Sequence, residues 1–387
     1  MKRRVVIISA VLALCATSLY PAFEDTGWTV RSKSMGNAIF GDFSGVHSMN
    51  YNPATISMER SIQFYGAWDT PYAALNDGSS INTINAMFVI PFWNKFSLRF
   101  DPFFTKRGAL GISVQRQSVV WEGAEIYHEG IYSFIYAKDL NDVILRGARI
   151  SAGVRLSLYD LGVGEIGDVT ANPNFTQLGR ISFGLDVGLT YDFSEGIRLG
   201  LSYKNLISPN ISIMPDGEDR LPSEFRLGAN WNMGNLLFFK DFKLGGGIVS
   251  YGRDAEDNRQ ADMAYHLGLE FKQIFVESIN TDILSIRMGA VYQPLRNAAD
   301  IINVSGGLGF AYIFGRVHKV SIDYGFEYGI NMGAMKHSAG LTYEILLPRS
   351  AFEYRQERRM ELEYEELLEQ RLSEEGEEGE ATETTEQ

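Results

Sequence analysis

Long stretches of the chain alternate between apolar residues and small or polar ones. The alternation is regular over residues 181–191, 263–271 and 320–328, where every second position is Ile, Leu, Met, Val, Phe or Tyr. Successive side chains of a β-strand point to opposite faces of a sheet. Each of these segments therefore predicts a strand with one apolar face.

The same rhythm along the chain predicts an all-β fold of fourteen strands. The first three boundaries are weakly marked, and residues 95–100 are a candidate for a further strand. The predicted strands are residues 61–68, 82–92, 107–119, 127–137, 146–158, 180–191, 197–204, 223–232, 241–251, 262–271, 284–292, 302–314, 318–328 and 337–347.

Alternation alone is also typical of a soluble sandwich, but two details favour a transmembrane antiparallel barrel. The second face is rich in Gly and Ser and carries charges such as Arg149, Arg155 and Glu327. Many strands begin or end in an aromatic residue, as expected of the aromatic girdles of outer-membrane barrels. These aromatic residues are Tyr191, Tyr203, Trp231, Tyr292, Phe314 and Tyr343.

Connection lengths give an independent test, because outer-membrane barrels have short periplasmic turns and longer outer loops. Residues 193–196 and 315–318 form tight connections, and residues 205–222 form a long one. Residues 272–283 depart from the alternation by being long for a turn. An even strand number places both termini in the periplasm.

Before the first strand lies a segment of small residues, residues 34–58. Gly36, Gly41 and Gly45 permit close-packed backbone, and Pro53 in Asn52-Pro53-Ala54 removes a backbone donor. We interpret residues 23–60 as an N-terminal plug, or hatch, inside the barrel formed by residues 61–348. An ordinary N-terminal loop is the alternative.

The first 22 residues resemble a secretory signal. Lys2, Arg3 and Arg4 precede an apolar run over residues 5–14, which is too short to span a bilayer as a helix. Ala22 is a plausible cleavage point. Cys15, the only cysteine, offers the alternative of a lipoprotein site, but the preceding Leu14 is large for one.

The acidity of the chain is concentrated in its last segment. The formal net charge is −13, and residues 353–387 hold 14 Glu and 4 Arg, a net −10. Residues 349–387 are predicted to be a periplasmic tail, helical and then disordered. The tail is either simply solvated or docks a periplasmic protein partner. No basic stripe indicates nucleic acid.

No cofactor, metal site or catalytic centre is predicted. The five histidines are scattered, and none has metal-ligand spacing with another. The glycines at 245–247 and 306–309 lie inside alternating strands, where they indicate close packing rather than a phosphate loop. We therefore predict that the protein is not an enzyme.

Two short motifs carry a family resemblance. Met35-Gly36-Asn37-Ala38 is followed by Asn52-Pro53-Ala54, and Tyr203-Lys204-Asn205-Leu206 is followed by Leu221-Pro222 and then by Phe225-Arg226-Leu227-Gly228. Their order resembles FadL-type long-chain fatty-acid transporters and PorV/PorQ-like outer-membrane proteins. The acidic pair common ahead of the N-P-A motif is reduced here to Asp42, and the acidic tail is no part of the transporter pattern.

The resemblance implies a fourteen-stranded barrel with an N-terminal hatch, in the outer membrane of a diderm bacterium and in contact with its lipid. Its function would be passive uptake of hydrophobic small molecules such as long-chain fatty acids. The alternative is a PorV-like partner or scaffold of a protein secretion system. Hatch or gating candidates are Asn52, Pro53, Ala54, Asp42 and Gly36.

Overall fold

The structure is a computed structural model. It describes residues 23, 27–71, 79–93, 107–140, 149–164, 179–194, 196–213, 217–236, 239–252, 263–273, 284–295, 300–314, 317–331 and 334–347. The predictions made for residues 1–22, 95–100 and 349–387 fall outside these ranges.

Fourteen antiparallel strands form one closed barrel. Each strand pairs with its neighbours in sequence, and β1 closes the sheet against β14 through pairs that run from Ser61 with Leu346 to Thr70 with His337. The predicted all-β barrel is therefore confirmed. The strands are β1 Ser61–Thr70, β2 Ser79–Trp93, β3 Arg107–Trp121, β4 Ala124–Asp139, β5 Arg149–Val163, β6 Gly179–Ser194, β7 Ile197–Ile207, β8 Glu224–Leu236, β9 Phe239–Tyr251, β10 Met263–Gln273, β11 Leu284–Gln293, β12 Ile301–Phe314, β13 His318–Gly329 and β14 Ala334–Leu346.

The two rims of the barrel differ in their connections. The terminal rim holds the start of β1 and the end of β14, and it carries the tight connections 195–196, 237–238 and 315–317. The opposite, distal rim carries the long connection 208–223 and also the tight turn Glu122-Gly123, whose two positive φ angles suit a two-residue hairpin. The terminal rim also carries the longer connections 94–106, 140–148 and 274–283, so short and long connections alternate only in part.

The two faces of the wall have opposite chemistry. In β5, Ser151, Arg155 and Ser157 are buried, whereas Val154 and Leu156 are 40% and 57% exposed. Such alternation recurs around the barrel, so the outer face is apolar and the inner face is small, polar or charged. Exposed aromatic residues lie towards both rims, among them Tyr191, Phe193, Trp231 and Phe314 at the terminal rim and Trp68, Trp121, Tyr265 and Tyr292 at the distal rim.

Residues 27–58, the plug segment, precede β1 and contain three short helices. Helix α1, Val30–Ser34, begins with a capping box in which Thr29 and Ser32 satisfy each other's backbone N–H groups. The first 3₁₀ helix is Gly45–His47 and the second is Pro53–Met58, with Asn52 as N-cap and Pro53 at its first position. None of the described helices is long and apolar enough to cross a membrane.

We expect charge on the outer face to be penalised according to its depth. Leu185 lies midway along β6, and Phe193, 63% exposed, lies near the end of the same strand and on the same face. Leu185→Arg should lower the free energy of unfolding by roughly 2–4 kcal/mol, and Phe193→Arg by only about 0–1 kcal/mol, if the apolar face meets lipid. Urea unfolding in lipid vesicles, followed by tryptophan fluorescence, measures both, and equal costs would contradict this facing.

Candidate functional site in the lumen

The plug segment crosses the interior of the barrel. Helix α1 contacts β11–β14, whereas the second 3₁₀ helix contacts β2–β6. These two groups of strands face each other in the closed fourteen-stranded sheet. The chain between them therefore spans the lumen, and its apolar side chains Val30, Ile39, Val46, Met49 and Ile56 form part of the buried core.

A belt of wall glycines lets the plug backbone approach closely. A Cβ atom at Gly200, Gly245 or Gly268 would overlap the carbonyl oxygen of Phe40, Ala38 or Met35. Only glycine fits where one backbone lies directly against another. The belt takes one glycine from each of ten consecutive strands, β5 to β14: Gly153, Gly188, Gly200, Gly228, Gly245, Gly268, Gly289, Gly307, Gly325 and Gly340.

Much of the glycine belt is continuous across the sheet. Gly153 pairs with Gly188, Gly200 with Gly228, Gly245 with Gly268, Gly268 with Gly289, and Gly307 with Gly325. The Gly-rich inner face therefore forms a track on which the plug segment lies. The sequence-based interpretation of glycines 245–247 and 306–309 as close packing agrees with this placement.

Buried ion pairs join α1 to the wall. The Arg31 guanidinium lies 2.7 Å from Asp42 in the plug segment and 2.6 Å from Glu270 of β10. Glu270 also accepts from Arg287 of β11 at 2.6 Å, and Arg287 donates to Asp323 of β13 at 2.5 Å. These five side chains are each at most 6% exposed and alternate in charge, so every buried charge has an opposite neighbour.

The Asp42 carboxyl group of the plug segment is held in its ionised form. Burial disfavours the Asp42 carboxylate, but Arg31, together with Lys243, outweighs burial and lowers the pKa of Asp42 to about 2. Lys33, next along α1, donates to Asp69 of β1 at 2.6 Å. Both basic residues of α1 therefore pair with wall carboxylates, Arg31 with Glu270 and Lys33 with Asp69.

A second charged cluster grips the middle of the plug segment. Arg155 of β5 pairs with Asp186 of β6 and donates to the Asn50 carbonyl oxygen at 3.0 Å. Arg226 of β8 pairs with Glu224 and reaches the same oxygen at 3.5 Å. Two wall guanidiniums therefore converge on one peptide group of the plug segment, where charge-assisted hydrogen bonds are stronger than neutral ones.

The gating candidates of the N-P-A motif lie against β6. Asn52 donates through Nδ2 to the Phe40 and Leu189 carbonyl oxygens, each at 2.9 Å, and its Oδ1 accepts from the Ala54 backbone N–H at 3.1 Å. Pro53 starts the second 3₁₀ helix without a missing hydrogen bond. Asn52 thus links two parts of the plug segment to the wall by neutral hydrogen bonds.

The remaining gating candidates lie on the other side of the lumen. Gly36 has φ +57°, and its backbone lies against Ala290 and Leu267 of the wall. Its carbonyl oxygen lies 2.8 Å from His266 Nδ1. Asp42 belongs to the Arg31 cluster, so the five candidates do not form one site. They occupy separate points along the path of the plug segment.

The second sequence motif shapes the distal opening. Lys204 pairs with Glu224 at 2.9 Å. Asn205, at φ +54°, accepts from the Tyr159 hydroxyl at 2.8 Å and donates to the Pro222 carbonyl oxygen at 2.7 Å. The motif therefore closes the base of the connection 208–223.

This connection also contributes Ile211, Ile213 and Leu221 to an apolar lining near the distal rim. The other members of the lining are Tyr127, Ile131, Tyr159, Leu161 and Tyr251.

Sequence reasoning noticed charge on the inner face but missed most of the charged clusters. Arg155 and Glu327 do lie on the inner face, whereas the Arg149 side chain is 72% exposed. Arg31 and Lys33 were not singled out, nor were their wall partners or Arg287 and Asp323. One sequence signal could have found them. In residues 263–271, the charged Glu270 takes a position on the face that otherwise holds small or polar residues.

The histidines serve in local contacts. His128 Nδ1 lies 2.9 Å from Glu125, and the rings of His318 and His337 contact the hydroxyls of Tyr343 and Tyr324. Within the described residues, no group of three or more His, Cys, Asp or Glu side chains could hold a metal ion.

Comparison with known proteins identifies the fold. No protein-family model and no curated protein sequence matches the chain. The CymD monoaromatic hydrocarbon channel is 14% identical, with a TM-score of 0.53, over 84% of this chain and 99% of that chain. The TodX monoaromatic hydrocarbon channel deltaS2 mutant is 13% identical, with a TM-score of 0.52, over 84% and 100%. The barrel fold implied by the family resemblance is therefore confirmed.

Because of the glycine belt, we expect alanine substitutions at two neighbouring glycines to have very different effects on ion leak. A Cβ at Gly245 would overlap the Ala38 carbonyl oxygen, whereas a Cβ at Gly246, on the opposite face, has its nearest neighbour at 3.8 Å. Gly245→Ala should displace the plug segment and raise ion leak through planar bilayers, while Gly246→Ala should behave like the parent. The barrel should assemble in both variants, which heat-dependent gel migration checks. An unchanged leak in assembled Gly245→Ala would contradict the close approach.

The plug segment should also make stability depend on pH. Burial, helped by Arg31 and Arg287, lowers the pKa of His47 well below its usual range near 6.5. The folded protein therefore binds fewer protons than the unfolded chain below pH 6.5, so stability present above that pH is lost as the pH falls. At pH 5.5 the loss from His47 should be on the order of 1 kcal/mol.

The matched variant for this effect is His47→Phe, which keeps an aromatic ring edge-on to Tyr65 but cannot titrate. Unfolding of parent and variant in lipid vesicles at pH 7.5 and 5.5 gives the difference. The parent should lose on the order of 1 kcal/mol more than the variant between the two pH values. Equal losses would show that His47 does not carry the dependence.

Proposed function

We propose that the protein is an outer-membrane channel for passive uptake of small hydrophobic molecules, with the terminal rim of the barrel facing the periplasm of a diderm bacterium. The apolar outer face with aromatic residues towards both rims suits contact with lipid. The structures that share the fold include channels described as conducting monoaromatic hydrocarbons.

The apolar lining near the distal rim is the observation that carries the proposal. It lies near the distal rim, opposite the rim where β1 starts and β14 ends, and next to the long connection 208–223. A ligand with little polar surface gains free energy by leaving water for such a lining, at roughly 25 cal/mol per Å² of buried apolar area. Capture at the distal rim is the first step that we propose for transport.

Passage then requires the plug segment to move. Asn52, Pro53 and Ala54 lie where the plug segment touches β5 and β6, and neutral hydrogen bonds hold Asn52 there. Asp42 and Gly36 belong to the part fixed by the Arg31 cluster and by β10 and β11. We propose that the N-P-A end shifts while the α1 end stays anchored.

The ligand class is broad in this proposal. Monoaromatic hydrocarbons and long-chain fatty acids share an apolar body that fits the distal lining. A fatty acid also carries a carboxylate, which would meet the Arg155 and Arg226 guanidiniums in the layer that grips Asn50. Toluene and oleate therefore form an informative pair of probes.

The second candidate is a PorV-like scaffold that transports nothing itself. The observation that favours it is the extent of anchoring, because α1 is joined to β1, β10 and, through Glu270, to β11 by buried charges. In this case the barrel is a rigid outer-membrane partner, and the acidic tail over residues 349–387 would dock a periplasmic protein.

Weakening the N-P-A end separates the two candidates. Asn52→Ala removes the two hydrogen bonds from Asn52 Nδ2 to Phe40 and Leu189, each worth about 1 kcal/mol, together with the local bond that its Oδ1 accepts from Ala54. The open fraction, and with it the uptake of labelled toluene into proteoliposomes, should rise roughly five- to thirty-fold. Asn82→Ala, which changes an asparagine that contacts Trp68 on the outer face, should leave uptake unchanged.

Each outcome of this experiment is decisive. Uptake by the parent that rises in Asn52→Ala supports a channel gated at the N-P-A end. If the parent and Asn52→Ala take up toluene equally, the N-P-A end does not gate the channel. No uptake of toluene or oleate by either protein, above liposomes without protein, overturns the channel and favours the scaffold.

A further inference from the structure

Glu129, on the inner face of β4, holds a backbone nitrogen of the N-terminal segment. Its Oε2 accepts from the Phe23 backbone N–H at 2.7 Å, and its Oε1 accepts from the Tyr127 hydroxyl. The carboxylate is therefore aimed at the nitrogen atom of one particular residue near the start of the chain.

The other carboxylates of the inner face show what Glu129 lacks. Buried carboxylates are normally paired with cations. Six carboxylates in the lumen, each at most 6% exposed, have an Arg or Lys partner: Asp42, Asp69, Asp186, Glu224, Glu270 and Asp323. Among the described residues, no Arg or Lys pairs with Glu129. A cation at the Phe23 nitrogen would complete the same pattern.

Phe23 itself is firmly placed. Its side chain is 6% exposed and meets the Tyr159 ring edge-on, with ring centroids 5.2 Å apart. It belongs to the apolar cluster that includes the distal lining. Such burial fixes the position of the Phe23 nitrogen against Glu129.

The backbone at Phe23 is unfavourable in an uninterrupted chain. Its φ is +62°, in the left-handed region that an aromatic residue rarely adopts. The angle exists only because a carbonyl group of the preceding residue is attached to the Phe23 nitrogen. A chain that begins at Phe23 has no such angle, and the strain disappears.

We propose that Glu129 is the receptor for the α-ammonium group of a mature chain that begins at Phe23. Ala22, directly before this residue, is the plausible cleavage point of the predicted signal peptide. Hydrolysis of the Ala22–Phe23 peptide bond by a signal peptidase consumes one water and leaves a carboxylate on Ala22 and an ammonium group on Phe23.

This pairing makes the processed terminus part of the attachment between the N-terminal segment and the barrel. A single amide N–H becomes a positively charged group with three donors, which suits a carboxylate better than the neutral group does. The new terminus is held near the distal lining, while the other end of the plug segment enters β1 at the terminal rim. Both ends of the plug are then fixed to the barrel.

The test measures the terminus and its protection in the full protein purified from outer membranes. Mass spectrometry of the N-terminal peptide should find Phe23 as the first residue. A carboxylate partner raises the pKa of an α-amine, so acetic anhydride should acetylate it at least roughly tenfold more slowly in the folded protein than after unfolding in detergent, a factor equivalent to one pKa unit.

Two variants locate the effect. Glu129→Gln should restore fast acetylation of Phe23 in the folded protein. Glu125→Gln, on the same strand but paired with Arg116, should leave the protection intact. A different first residue overturns the proposal, and so does equal acetylation of the folded and unfolded parent. If Glu129→Gln does not assemble, the acetylation rates of Phe23 in the folded and the unfolded parent still test the proposal.

Discussion

A closed sheet of fourteen strands encloses a space that must be filled, and this chain fills it with its own residues 27–58. Every other feature of the interior follows from that constraint. The plug segment carries irregular backbone with polar groups that need partners, and the wall supplies them. At several points the plug backbone lies directly against a wall glycine, as at Gly200, Gly245 and Gly268. Arg31 and Lys33 of the plug segment pair with the wall carboxylates of Glu270 and Asp69.

The glycine belt and the charged clusters hold the plug segment in different ways. The glycine belt gives shape complementarity along ten strands without adding directional bonds of its own. The charged clusters give position, because Arg31 and Lys33 find partners on different strands. In an interior of low dielectric such pairs are strong only when each charge is satisfied, and the alternating order from Asp42 to Asp323 achieves this. Shape and charge therefore specify one placement of the plug segment.

The sequence predicted the barrel well because its signal is local. Alternation at period two is visible in residues 181–191 and 263–271 without knowing which strands are neighbours. Glycine and proline also drew attention to the segment before the first strand. The ion pairs were less accessible, since Arg155 with Asp186 and Glu270 with Arg287 are cross-strand partners whose pairing depends on register. A shift of one residue moves a side chain to the other face, and approximate strand boundaries do not fix the register that closely.

The distribution of bonds along the plug segment indicates which part can move. Breaking a buried ion pair such as Arg31 with Glu270 costs about 3–5 kcal/mol because it leaves an uncompensated charge. A neutral hydrogen bond such as that from Asn52 to Leu189 is worth only about 0.5–1.5 kcal/mol. The charge-assisted bonds of Arg155 and Arg226 to Asn50 lie between these limits. Displacing the plug segment is therefore least costly at the N-P-A end, next to β5 and β6, which is where the proposed gate lies.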